Sequence, residues 1–375
     1  MNTIQMVDLT TQYEKIQKEM DQSILDVVRS GKYINGEAVD LFASELASYT
    51  GANHVIPCAN GTDALQISLM ALNLLPGAEV IIPAFTYAAT AEVIALLRLT
   101  PVVVDVDPLT FNINPQKIEE ALSSRTKAIL PVHLFGQCAD MEPILNIAKQ
   151  YDLWVIEDNA QSIGSVYTFS DGTKKQAGTM GHIGTLSFFP SKNLGCYGDG
   201  GAILTDNEEL AQRLKMIASH GQEKKYIHEI VGCNSRLDSL QAAILRVKLP
   251  LLNKYIESRK KAAHSYNIGL KLLTDLIELP FIRENSTHIY HQYTLKVKED
   301  KRDDLQKHLT KKKIPTMIYY PLPIHEQPAF KAIVRKGSDV SESEKLCKSV
   351  LSLPMHTELE SDQLLYIIEQ IATYG

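Results

Sequence analysis

The sequence predicts an α/β fold: a large unit built on a mostly parallel sheet with helices on both faces, followed by a smaller α+β unit. Three observations carry this expectation. From about residue 50 to 215, short β-branched or aromatic runs alternate with helical patterns, and helices are the usual connections between parallel strands. After residue 206 the pattern changes to long helical stretches, and residues 277–375 then mix strand-like and helical segments without the alternation. The expected division puts 1–250, with an N-terminal helical segment, in the large unit and 251–375 in the small C-terminal one.

In chain order the strand candidates are EVIIPAFTY (79–87), TPVVVDVD (100–107), TKAILPVHLFG (126–136), LWVIEDNA (153–160), TLSFFPS (185–191) and GGAILTD (200–206), each bounded by turn residues. Helices are expected over 115–124 and 140–151. Asn114 can cap the first, and Pro115 suits its first turn, where a missing N–H costs nothing. Helical patterns continue over 207–219 and 235–273, with Pro250 a kink or break because it lacks the N–H that the helix ladder needs. The C-terminal unit reads as strands over IYHQYTLKV (289–297) and PTMIYYP (315–321), with helices near 301–312, 341–351 and 361–373.

With 375 residues, 45% hydrophobic and 22% charged, the chain can bury a sizeable core and does not have the composition of a disordered protein. A net charge of −6 argues against general nucleic-acid binding. No apolar run approaches the roughly eighteen residues of a membrane span, and MNTIQMVDLTTQYEKIQKEM lacks the basic-then-apolar order of a secretion signal. The five cysteines are scattered and without CxxC spacing, so neither a disulfide framework nor a metal site is expected, and a cytoplasmic setting is.

Parallel sheets bind ligands beyond the carboxyl ends of their strands, and three segments bring suitable chemistry there. In CANGTDALQISLMAL (58–72), Asn60, Gly61 and Thr62 precede a helical pattern. Free amides at a helix start, the helix dipole and a hydroxyl make an anion site, and an ordinary capped helix start is the plain alternative. LWVIEDNAQSIG (153–164) ends a strand in Glu157 and Asp158. A carboxylate there suits a metal, a ribose hydroxyl or a protonated ring nitrogen, or simply caps the next helix. Lys192 stands in TLSFFPSKNLGCYGDGGAILT between an apolar strand and a glycine cluster.

Most lysines reach water, and an isolated one would be read that way. The glycines do not form a dinucleotide fingerprint, because Gly200 and Gly201 lead into a strand rather than a helix. Lys192, the helix-start anion site, the strand-end Asp158 and the Ser187 hydroxyl are together the parts that pyridoxal 5′-phosphate requires: an amine for its aldehyde, a carboxylate for its ring nitrogen, and amides and hydroxyls for its phosphate.

On these residues the chain resembles the DegT/DnrJ/EryC1/StrS family of nucleotide-sugar aminotransferases, a branch of the fold type I pyridoxal-phosphate enzymes. The resemblance runs over nearly the whole length and is most specific at CANGTDALQ, PAFTYAAT, EDNAQSIG, SFFPSKNLGCYGDGGAI, GCNSRLDSLQAAIL and YYPLPIHEQPAF. Within the family it is similar to enzymes that aminate C3 of a 3-keto UDP-sugar, of the 2-acetamido-3-ketoglucuronate type. The resemblance implies that Lys192 and Asp158 are catalytic, Lys192 forming a Schiff base with the cofactor and Asp158 pairing with its ring nitrogen. It also implies that Gln161 bonds the ring hydroxyl, Tyr87 stacks on the ring, and Gly61, Thr62 and Ser187 hold the phosphate, with Asn234 reaching it from a second subunit. Arg236, from the partner, and Tyr319, Tyr320 and His325 are then expected to line the sugar-nucleotide side of a homodimer's shared site.

The family's dehydrating branch replaces the lysine with histidine, so Lys192 argues for transamination, with L-glutamate the expected donor and a pyridoxamine form of the cofactor between its two halves. The family motif often has alanine where this chain has Asn159. UDP or dTDP, a sugar with or without a carboxylate, and amination at C3 or C4 all remain compatible, the expected setting being amino-sugar synthesis for bacterial surface polysaccharide such as O-antigen lipopolysaccharide. A nicotinamide oxidoreductase is opposed by the missing glycine fingerprint. A non-enzymatic relative would be expected to have lost the lysine or the aspartate, and neither is lost. The EKK (223–225) and KKK (311–313) clusters read as solvated faces, and His133, His182, His220 and His228 have no ligand spacing.

Overall fold

A computed structural model describes residues 3–298 and 300–374. Eight strands form the large sheet, in the order His54–Cys58, Gly201–Thr205, Ile183–Ser187, Trp154–Asp158, Thr126–Ile129, Glu79–Pro83, Thr100–Val104 and Arg335–Lys336. Of these, Gly201–Thr205 alone runs against the rest, pairing antiparallel with both of its neighbours. The six strand candidates of the large unit are all present. His54–Cys58 was not among them: its run is interrupted by Pro57, which cannot donate to a ladder and is tolerated here because the strand lies at the sheet's edge.

The pleat sends alternate residues to two cores. Val80, Ile82, Val103, Ala128 and Ile156 pack under the helices Gly61–Ala71, Ala89–Leu96 and Glu208–Ala218. Ile81, Val102, Val104, Ile129 and Val155 pack under Pro115–Ala121 and Met141–Gln150. Burial on both faces explains why these strands read as continuous apolar runs. Asn114 caps its helix as expected, accepting from the Gln116 N–H at 3.0 Å.

Pro250 falls in a 3₁₀ turn, Leu249–Leu251, that separates the helices Ser239–Lys248 and Leu252–Leu270. Beyond it, a three-stranded antiparallel sheet of Ile277–Glu278, Tyr293–Val297 and Val350–Leu353 is covered by Leu252–Leu270, Arg302–Lys311 and Ser361–Ala372. We propose residue 250 as the boundary of the two units: the helix that follows this turn still packs Leu252 and Ile256 in the large unit's core, and from Ala262 onward it packs on the small sheet. The expectation of a strand over 315–321 is corrected. Only Met317 bridges, to Ser352, because Pro315 has no N–H to offer and the following tyrosines turn away toward the large sheet's carboxyl edge.

Candidate active site

The parallel strands and His54–Cys58 end on the same side of the sheet, and a cavity of about 560 Å³ opens there. Its size suits a small organic ligand. Glu157 and Asp158 are consecutive on one strand, so their side chains leave opposite faces. Glu157 is wholly buried and satisfied. It accepts from the backbone N–H groups of Gly178, Met180 and Gly181 at 2.8, 2.6 and 2.5 Å, and faces His133 Nε2 at 2.7 Å. His133 Nδ1 accepts from the Ala139 N–H, which leaves the Nε2 proton for Glu157.

Asp158 faces the cavity. Its carboxylate accepts from the Ala160 N–H at 3.1 Å and the Thr90 hydroxyl at 3.3 Å. Burial pushes its carboxyl up, opposed by the Ala160 bond and by the charge of Lys192. Lys192 is partly buried and borders the same cavity. Burial lowers its amine to about 8, with Asp158 pulling the other way. The turn that carries it is held from below by Lys248, whose Nζ donates to the Gly195 carbonyl at 2.8 Å and sits 4.6 Å from the centre of the Tyr197 ring.

The helix Gly61–Ala71 starts at the cavity. Asn60 caps it, taking the Asp63 N–H at 2.8 Å on its side chain and the Ala64 N–H on its carbonyl. The amides of Gly61 and Thr62 are left without partners within the helix. A Cβ at residue 61 would lie 2.6 Å from the Ser187 Cβ, so glycine is what lets the helix start meet the strand end that carries this hydroxyl. Tyr87 is 61% exposed and lines the cavity, 6.2 Å from the Tyr320 ring. Gln161 accepts from the Phe135 N–H and donates to the Tyr320 hydroxyl at 3.1 Å. Asn159 points elsewhere, donating to the Ala177 carbonyl at 2.7 Å.

Thus Gly61, Thr62, Tyr87, Asp158, Gln161, Ser187, Lys192, Tyr319 and Tyr320 share one cavity. Asn234 and Arg236 line a second, of about 280 Å³, which meets the first at Asp199. His325 lies outside both. It is buried, with Nε2 3.1 Å from a Glu344 carboxylate oxygen. Sequence reasoning passed over His291, which lines the cavity while 95% buried; the signal was a polar His-Gln pair inside an otherwise apolar run.

These groups fit pyridoxal 5′-phosphate: free amides and a hydroxyl for the phosphate, a buried carboxylate for the ring nitrogen, an amine depressed toward neutrality for the aldehyde, and an aromatic face for the ring.

The DegT/DnrJ/EryC1/StrS aminotransferase family model matches residues 14–372. The chain is 46% identical to a pleiotropic regulatory protein of Geobacillus stearothermophilus, over 99% of this chain and 98% of the other. It is also 46% identical to UDP-2-acetamido-2-deoxy-3-oxo-D-glucuronate aminotransferase of Pseudomonas aeruginosa, over 97% of this chain and 98% of the other. A solved aminotransferase of the family from Brucella abortus superposes with a TM-score of 0.94 at 41% identity, over 99% of each chain.

Proposed function

This chain belongs to the DegT/DnrJ/EryC1/StrS aminotransferase family, and from that membership we propose that it moves the amino group of L-glutamate to the ketone of a 3-keto UDP-sugar. It is a pyridoxal-phosphate-dependent transaminase whose relatives act on nucleotide sugars. The C3 ketone and the UDP are suggested by the Pseudomonas aeruginosa enzyme, whose name specifies both. Synthesis of amino sugars for surface polysaccharide, in the cytoplasm, is the setting this chemistry suits.

The observation that carries the reading is one cavity holding a depressed lysine, a buried carboxylate and two free helix-start amides. When bound, the cofactor supplies an electron sink for a carbanion at the substrate carbon. Lys192 Nζ is the group that would hold the cofactor's aldehyde carbon; once displaced by the incoming amine, the freed Nζ would take the proton from the carbon that loses its amine in the first half and give one to the carbon that gains it in the second. An amine near 8 has a substantial neutral fraction at physiological pH, which an ordinary lysine lacks. Asp158, ionised against the ring nitrogen, keeps that nitrogen protonated. Gly61, Thr62 and Ser187 hold the phosphate, Gln161 bonds the ring hydroxyl, and Tyr87 covers one face. Tyr319 and Tyr320 belong to the sugar-nucleotide side, whereas His325, buried against Glu344, does not line it. In a homodimer, Asn234 and Arg236 complete the partner's site.

Visible absorption tests this directly. Purified protein with pyridoxal 5′-phosphate should be yellow, lose the colour with glutamate, and regain it when a UDP-3-keto sugar is added. Recovery with dTDP-sugars or 4-keto sugars alone would move the substrate assignment. A protein that never colours would remove Lys192 from its role.

A further inference from the structure

His291 is built into the cavity wall in a way that ordinary packing does not require. Tyr290, just before it, has a left-handed backbone (φ 51°), unusual for a bulky residue. Two contacts hold the segment there. The Arg259 Nη1 donates to the carbonyls of Tyr290, His291 and Met355 at 3.1, 3.2 and 3.0 Å. Across the chain, Gly136 (φ 112°) lies so close that a Cβ on it would be 2.8 Å from the His291 backbone nitrogen. Strain of this kind persists where surrounding structure over-determines it, and such sites cluster around function.

Among the described residues the imidazole has no hydrogen-bond partner. Its Nδ1 is buried and unpaired, which leaves Nε2 to meet the cavity. An orphaned acceptor costs less than an orphaned N–H, so the ring is best served by keeping its proton on Nε2, as a donor toward whatever enters. Burial, with the charges of Lys192 and Arg259, holds His291 well below the usual histidine range and therefore neutral.

The local charge is one-sided. Arg259 is 97% buried, and among the described residues no carboxylate pairs with it. Burial alone draws it down, to about 10. Asp158 is committed to the ring nitrogen in the reading above. A buried guanidinium with only carbonyls for company favours an anion nearby. At the Lys192 end of the cavity, an amino acid's own carboxylate is the anion that must lie beside the reacting carbon.

We propose that His291 receives the α-carboxylate of the amino donor, donating to it from Nε2, with the buried Arg259 guanidinium behind it supplying uncompensated positive charge. This rests on the transaminase reading, and the two fail separately.

The test compares His291→Phe, which removes the donor, with His291→Gln, which keeps an N–H, each loaded with cofactor and checked for an unchanged melting curve. Single-turnover loss of colour gives the apparent glutamate affinity. Calorimetry with glutarate, which has carboxylates and no amine, gives binding without reaction. His291→Phe should weaken both by roughly 10- to 100-fold, the worth of one hydrogen bond to a charged group, with His291→Gln recovering most of it. The loss should concentrate in the donor half rather than in reaction of the pyridoxamine-loaded protein with keto sugar. Equal loss in both halves, loss confined to the sugar half, or unchanged glutarate binding overturns the proposal. Failure of the unsubstituted protein to respond to any amino acid would instead overturn the transaminase reading.

Discussion

Two adjacent carboxylates separate structural from chemical duty. Glu157 fills its acceptor positions with three amides and a histidine, whereas Asp158 has two partners and a cavity. Glu157→Ala should therefore cost about 3–5 kcal/mol of stability in denaturant unfolding, as breaking a buried pair does. Asp158→Asn should leave the unfolding curve nearly in place and cut turnover at least about a hundredfold. Lys192 carries a pH signature as well. Its amine, lowered by burial to about 8, is neutral above that pH and protonated below it. The rate at which apoprotein takes up pyridoxal 5′-phosphate into the coloured form should rise with pH with a midpoint near 8. A midpoint above 10 would mean that the amine is not desolvated. That Lys192 and one of the two acids mattered was legible from residue type and strand-end position. The pleat by itself says only that the two acids oppose each other; it is the family resemblance that singles out Asp158, the one that lines the cavity.

At the level of elements, the site depends on how closely one helix start approaches one strand end. Gly61→Ala puts a methyl 2.6 Å from the Ser187 Cβ. The overpacking should cost about 1–3 kcal/mol and weaken cofactor affinity measured by equilibrium dialysis, while Thr62→Ala should weaken affinity without the loss of stability. The alternation of strands and helices was readable because buried parallel strands have a composition that differs from their connections. Segments such as 289–292 were not. IYHQYTLKV has a strand's residues throughout, yet the strand begins at Tyr293, since Gly136 and Arg259 hold the preceding backbone out of the ladder. That decision is made by distant partners, which no local pattern records. PTMIYYP was misread for the same reason, its tyrosines being recruited by the cavity.

For the whole molecule, the second cavity with Asn234 and Arg236 beside Asp199 makes sense in a dimer whose sites are shared. Mixing Lys192→Ala with Arg236→Ala subunits, each inactive alone, should then restore about a quarter of native activity, one sound site in each mixed dimer. No recovery after verified exchange would place Arg236 in its own chain's site. The C-terminal portion bears on how substrate gets in. After the small sheet's central strand, the chain returns to the large sheet: the Ile324 N–H donates to the Ala84 carbonyl, and Arg335–Lys336 add a parallel edge strand beside Val102 and Val103. It then leaves again for Val350–Leu353. A lobe sewn twice to its neighbour is a poor hinge, because swinging it open would tear a ladder. Access to this cavity is therefore a matter for loops and, in the proposed dimer, for the adjoining subunit, and evolution of new substrate preferences can proceed at that rim without disturbing the stitched frame beneath it.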